Sequence, residues 1–259
     1  MSGSRLDEST SRRSGFQFAE LLKVQGMLAL REPYALFGGL ALPAVLLAVF
    51  GFVGQANPGN VGDSGLTVIE VWTPTILVLS IIFISVSLPN TLVRDREIGW
   101  LRRVSTTPLH PSRLLAAQLI IDLILAAAAV LIVILEGALV FGASLHVQIL
   151  PFAVSLLLAI VELFALGLVL VALLPTQTVA QPVAGVVTFG LMFLSGLWVN
   201  PAQVGDPLRT IMYYSPSGAA VRAVLDSAFN GGLSYAALLT MAVYAVLFGF
   251  IAIRYFRWE

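Results

Sequence analysis

Charge is scarce in this chain of 259 residues: 11% are Asp, Glu, Lys or Arg, against 58% apolar. A soluble domain carries roughly 25% charged residues, so a water-facing globular enzyme is nearly excluded. A disordered chain is excluded as well, because disorder needs low hydrophobicity. Cysteine is absent, which removes disulfides, thiolate metal sites and cysteine nucleophiles. Lysine occurs once, at Lys23, outside any Gly-x-x-x-x-Gly-Lys-Ser/Thr loop, so ATP cannot be used here in the phosphate-loop manner. There is no His-Glu-x-x-His zinc motif and no Gly-x-Ser-x-Gly elbow. The two histidines, His110 and His146, fall on opposite sides of the expected membrane. A metal site needs several convergent ligands, so none is expected. Fourteen basic and fourteen acidic residues cancel. A nucleic-acid partner, which would need a net basic face, is therefore not expected.

What the chain has instead is long apolar runs. A helix needs about 20 apolar residues to cross a bilayer core. Six runs qualify, at about 34–54, 71–93, 114–143, 149–174, 178–199 and 233–253. The stretch from Leu163 to Gly205 is free of charge but too long for one helix. Pro175 and Pro182 mark a break near residues 175–177, giving two helices and a tight turn. The expected fold is an all-α membrane protein with six transmembrane helices.

The lead-in is not expected to be a signal peptide, since the first apolar run starts only at residue 34. Residues 1–14 are rich in Ser and Arg and read as a disordered tail. Residues 15–32 read as an amphipathic helix in the membrane interface: Phe18, Leu21, Leu22, Leu28 and Ala29 share an arc, with Gln17, Glu20 and Arg31 largely opposite. A plain polar lead-in is the alternative. Residues 33–259 form the transmembrane domain. Six spans put the amino-terminal segment, the loop after span 2 and the tail on one side, and that side holds twelve of the fourteen basic residues. The positive-inside bias then puts both termini in the cytoplasm.

Two loops are more than connectors. Residues 94–109 read Arg-Asp-Arg-Glu-Ile-Gly-Trp-Leu-Arg-Arg-Val-Ser-Thr-Thr-Pro-Leu. Ile98, Leu101 and Ser105 share a helical face, and Pro108 ends any helix there. A short amphipathic helix of this kind can seat in a partner's groove. A solvated, topology-fixing loop is equally compatible with the pattern. The second loop, Asn200 to Gly232, follows span 5 and carries Asn200-Pro201, Asp206-Pro207 and Tyr214-Ser215-Pro216. Residues 217–229 are apolar at helical intervals but too short to cross.

The 94–109 segment resembles the cytoplasmic loop of ABC-2 type export permeases, whose pattern is roughly Arg-Glu-x-Gly-Thr-Leu-Glu followed by Thr-Pro-Leu. Arg96, Glu97, Gly99, Leu101, Thr107, Pro108 and Leu109 match; Trp100 and Arg102 depart from it. The resemblance covers nearly the whole chain and is nearest to small drug-export permeases of the daunorubicin-resistance type. It implies a membrane subunit of an ATP-driven exporter in the plasma (inner) membrane, without an ATPase motif of its own. ATP and Mg would bind a separate ATP-binding subunit, and a second permease subunit would complete a homo- or heterodimer among membrane lipids. It also implies a cytoplasmic coupling helix between spans 2 and 3, with Arg96, Glu97, Ile98, Gly99, Leu101, Thr107 and Pro108 as ATPase-coupling residues. Short re-entrant helices before span 6 are implied as an outer gate, with Ser195, Gly196, Pro201, Tyr214 and Pro216 as candidates. An outer loop packed on the last span is the alternative.

Three acids lie inside apolar runs: Asp122 and Glu136 in span 3, and Glu162 in span 4. A charge at the bilayer centre costs at least about 2.5–3.5 kcal/mol, so these are candidates for a translocation path. Carboxyls satisfied by hydrogen bonds between helices are the other reading. A stand-alone proton-coupled transporter using the same three acids is the alternative function. Gly38-Gly39 and the run Ala126 to Ala129 are expected to let helices approach closely.

Overall fold

The computed structural model describes residues 20–29, 31, 36–56, 67–97, 111–143, 148–229 and 232–256, without the side chains of 111–114 and 202. The disordered tail expected at 1–14, part of the amphipathic lead-in and all of 98–110 lie outside the described residues.

Six helices are long and apolar enough to cross a membrane. They are span 1 (Phe37–Ala56), span 2 (Val68–Glu97), span 3 (Pro111–Leu139), span 4 (Ile149–Leu173), span 5 (Gln177–Leu194) and span 6 (Tyr235–Tyr255). Two shorter helices, Asp206–Tyr214 and Pro216–Phe229, stand between spans 5 and 6. The expected spans thus return with shifts of a few residues at their ends. The largest shift is in span 5, which stops at Leu194, and a bent segment follows where Gly196 takes a φ of +88°. Glycine tolerates that left-handed backbone at little cost.

Span 2 is the axle of the bundle. Its most apolar stretch is 94% buried, against 17–50% for the other five. Spans 1, 3, 4 and 5 and the Pro216–Phe229 helix all pack against it. Its sequence is apolar all round rather than on one stripe, as a fully enclosed helix requires. Four of its hydroxyls are satisfied on its own backbone: Thr73 donates to the Ile69 carbonyl at 2.6 Å, Ser80 to Ile76 at 3.0 Å, Ser85 to Ile82 at 3.0 Å and Ser87 to Ile84 at 2.7 Å. The helix opens on a capping box, in which the Glu70 carboxylate accepts from both the Thr67 N–H and its hydroxyl at 2.9 Å.

Small residues set how near its neighbours come. A Cβ added to Gly38 or Gly39 would run into Phe83 or Ile84 of span 2. Ala126 and Ala129 of span 3 are buried in the same core. Both close approaches expected from the sequence are present. Span 1 begins with a π-type turn over Phe37–Ala41, just ahead of Pro43. Proline cannot donate to the carbonyl four residues back and its ring crowds that carbonyl, which a widened turn relieves.

Residues 20–29 are helical, but the buried side is Gln25 and Ala29, with Gly26 Cα against Ile121 of span 3. Val24, Met27 and Leu28 face away from the bundle. The side that touches protein therefore carries Gln25, Gly26 and Ala29, and the contact with span 3 falls at the glycine, which has no side chain to hold the helices apart.

Span 4 meets span 2 at Gly167, where an added Cβ would strike the Ser85 carbonyl oxygen and lie 3.0 Å from Leu88 Cδ1. Backbone cannot step aside as a side chain can. Gly167→Ala is expected to destabilise the detergent-solubilised protein by about 1–3 kcal/mol, the usual cost of overpacking. Gly190→Ala, with nothing within 4 Å, should be neutral or slightly stabilising. Paired thermal melts of the two variants check this, and equal melting would contradict the close approach.

Candidate functional site

The candidate residues fall into three places. At the end of the bundle that holds both termini, span 2 ends on Arg96 and Glu97. Arg96 does not project freely. Its guanidinium donates to the Leu174 carbonyl and, at 3.2 Å, to that of Pro175. These carbonyls sit just past the end of span 4, where a helix leaves its last acceptors unpaired and carries partial negative charge. Arg96 thus ties the start of the 94–109 segment to the span 4–5 corner. A cavity of about 450 Å³ opens beside it, lined by Arg96, Glu97, Leu173, Pro175 and Tyr255 of span 6. Of the other coupling candidates, Ile98, Gly99, Leu101, Thr107 and Pro108 lie outside the described residues.

The three acids do not converge. Gln118 Nε2 donates to both oxygens of buried Asp122, at 3.1 and 3.0 Å. Glu136 lies fourteen residues on, about 21 Å along the same helix, half-buried beside exposed Leu135 and Leu139. Glu162 is on span 4, fully enclosed, and neither of its carboxyl oxygens has a hydrogen-bond partner among the described residues. Ser155, two turns earlier on the same face, is buried without a partner as well. Span 3 packs on spans 1 and 2, while span 4 packs on spans 2 and 6. Span 2 therefore stands between Asp122 and Glu162.

Of the gate candidates, Ser195, Gly196 and Pro201 line one cavity at the opposite end, and Tyr214 and Pro216 stand at the joint of the two short helices beside it. Ser195 donates to the Met192 carbonyl at 2.7 Å as span 5 ends. Gly196 turns the chain so closely that an added Cβ would lie 3.0 Å from Pro201. Tyr214 ends the first short helix, and Pro216 opens the second at its first helical position, where its missing N–H costs nothing. Ser215 caps that helix, accepting from the Gly218 N–H at 3.1 Å. Ser217 donates across to the Leu191 carbonyl at 2.8 Å, fastening the short helices to span 5. Ser195, Gly196 and Pro201 line a cavity of about 530 Å³. Trp72, Trp198, Tyr213, Arg222 and Asp226 line it too, and sequence reading did not single these out. The available signal was Arg222, one of two arginines on the side poor in positive charge. Trp72 is also stacked on Phe50 of span 1 at 4.1 Å.

The family model for ABC-2 type transporters matches residues 16–229. A protein of Cyanophora paradoxa named as a transport permease, ycf38, is 30% identical over 201 residues, covering 73% of this chain and 67% of the relative.

Arg96→Gln is expected to lower the stability of the solubilised protein by about 1–2 kcal/mol, since hydrogen bonds to a charged donor are lost at a helix terminus. Arg96→Lys should recover part of it, because both carbonyls are met by the single nitrogen Nη2 and an ammonium keeps the charge and enough donors for two acceptors. Melting curves unchanged in Arg96→Gln would show that the span 4–5 corner does not depend on it.

Proposed function

The chain belongs to the ABC-2 type transporter family, and from that premise we propose that it is the membrane subunit of an ATP-driven exporter. The observation that carries the reading is the extent of the family match, which runs from the lead-in helix through the 94–109 segment to the second short helix. Such permeases normally work with an ATP-binding subunit, which would hold ATP and Mg on a separate chain. Two permease subunits, identical or homologous, would bracket the path across the plasma membrane, with both termini of each in the cytoplasm. The cargo class is a drug-like molecule, lipid or glycan.

In this reading ATP binding closes the partner subunits, and they press on the coupling segment. Ile98 and Leu101 serve as packing contacts, and Glu97 as a charge contact. Gly99, Thr107 and Pro108 belong to the same coupling set. Arg96 supports a further link, since its grip on the Leu174 and Pro175 carbonyls would carry a displacement of the segment into spans 4 and 5. The coupling requires the partner to make different contacts in the two states, because a partner with equal affinity for both shifts nothing. At the far end the bent segment and short helices act as the gate, with Ser195, Gly196, Pro201, Tyr214 and Pro216 at its corners. Non-helical backbone at membrane depth is tolerated where protein covers it or a water cavity receives it.

Glu162 favours a second reading. A buried carboxyl with no hydrogen-bond partner among the described residues suits a group that takes up and releases protons, as a proton-coupled carrier requires. Energy source separates the two. The exporter reading expects transport in inside-out vesicles to stop when ATP is withdrawn and to survive collapse of the proton gradient; the carrier reading expects the reverse. Within the exporter reading, Glu97→Arg and Gly99→Pro should abolish ATP-dependent uptake of a lipophilic dye by vesicles holding both subunits, with membrane insertion intact. Full transport in both variants would remove the coupling assignment.

A further inference from the structure

At the end of the bundle where spans 5 and 6 are joined by the short helices, the 530 Å³ cavity presents a cation with no direct ion pair among the described residues. Arg222 is on its wall. The guanidinium lies 5.5 Å from the Tyr213 ring centroid and 5.9 Å from that of Tyr214. Its guanidinium donates a long hydrogen bond, 3.4 Å, to Ser234 Oγ. The other arginine at this end, Arg209, is paired with Asp206. Among the described residues no carboxylate reaches ion-pair distance of Arg222. Two aromatic rings flank the guanidinium, and a guanidinium carries five N–H donors for a ligand in the cavity that it lines.

The surroundings define what such a donor fork meets. The wall includes Val71 and Trp72 from the first turn of span 2, and Leu194 at the last residue of span 5. The cavity therefore sits at the depth where headgroups give way to acyl chains, the level at which tryptophan and tyrosine collect. One side of it is apolar and the other polar. Its volume is within the range of roughly 300–1,000 Å³ found for small-ligand sites. Asp226, one helical turn beyond Arg222, lines the same wall, so the cavity offers a positive and a negative group spaced as neighbours on one helix face.

We infer that this cavity binds a phospholipid of the leaflet opposite the termini, its phosphate on Arg222 and an amine-bearing headgroup turned towards Asp226. A guanidinium fork matches phosphate oxygens in geometry as well as in charge. Asp226 sets the selectivity. It attracts the ammonium of a phosphatidylethanolamine and repels a headgroup that adds no positive charge, such as phosphatidylglycerol. Trp72, Val71 and Leu194 receive the upper acyl carbons. The site needs only the cavity and does not rest on the exporter reading.

The test is lipid titration of the delipidated, full-length protein, read by native mass spectrometry. The probes are phosphatidylethanolamine, phosphatidylglycerol, and a diacylglycerol of the same chains that lacks phosphate. Wild type should bind phosphatidylethanolamine about tenfold more tightly than diacylglycerol, the ratio expected when one charge-assisted contact is gained. Arg222→Gln should bring the two within about twofold, while Arg209→Gln, outside the cavity, leaves the preference intact. Asp226→Asn should shift the preference towards phosphatidylglycerol, a gain that a misfolded chain cannot produce. Soluble phosphoethanolamine should compete poorly, because it lacks the acyl carbons. The inference is overturned if wild type binds the three lipids alike, or if Arg209→Gln matches the effect of Arg222→Gln. It is overturned too if Asp226→Asn leaves headgroup preference unchanged, or if soluble phosphoethanolamine displaces the lipid at equal concentration.

Discussion

The enclosure of span 2 is the constraint on which the rest of the structure depends. A helix covered on every side has no water and little lipid to satisfy its polar groups, so each must find a partner within the protein. Span 2 meets this by returning four hydroxyls to its own carbonyls and by opening on a capping box. Asn90 Oδ1 stays buried with no hydrogen-bond partner among the described residues, and along the rest of the helix neighbours are accepted through shape. Glycines and alanines on spans 1, 3 and 4 then bring those helices in at close range. Van der Waals contact is the main attraction between helices in lipid, and it needs such close approach.

The number and length of the spans were legible in the sequence because bilayer thickness fixes them. The tight break between spans 4 and 5 was legible because Pro175 interrupts a charge-free run, and the structure has one helix end at Leu173 and the next begin at Gln177. Which span sits in the middle was not legible. An apolar run reads the same whether its neighbours are lipid tails or other helices, and only the density of serine and threonine in span 2 hinted at enclosure. The intramembrane acids were found by residue type, but their grouping into one track assumed that spans 3 and 4 touch. Span 2 intervenes, and chain order does not reveal that.

The two ends of the bundle differ in how their candidates were assembled. Arg96 was found through a local pattern, yet its partners are the carbonyls of residues 174 and 175, and backbone acceptors leave no trace in side-chain identity. At the opposite end, Ser195, Gly196, Pro201 and Pro216 were visible as turn chemistry. The cavity that the first three border also draws on Trp72, Tyr213 and Arg222, which belong to three different elements. Distance along the chain hid that neighbourhood, and helix capping by Ser215 and the Ser217 bond to Leu191 create it.

Spans 4 and 5 share a three-residue joint and then part at once, since span 4 lies along span 6 while span 5 leans on span 2. The most extensive packing in the molecule is between spans 4 and 6. Those two are closely joined along their length, while spans 4 and 5 touch little beyond their joint. Any rocking of the bundle would open like a book between spans 4 and 5, with its spine at residues 174–176 and Arg96 as the stitch through the spine.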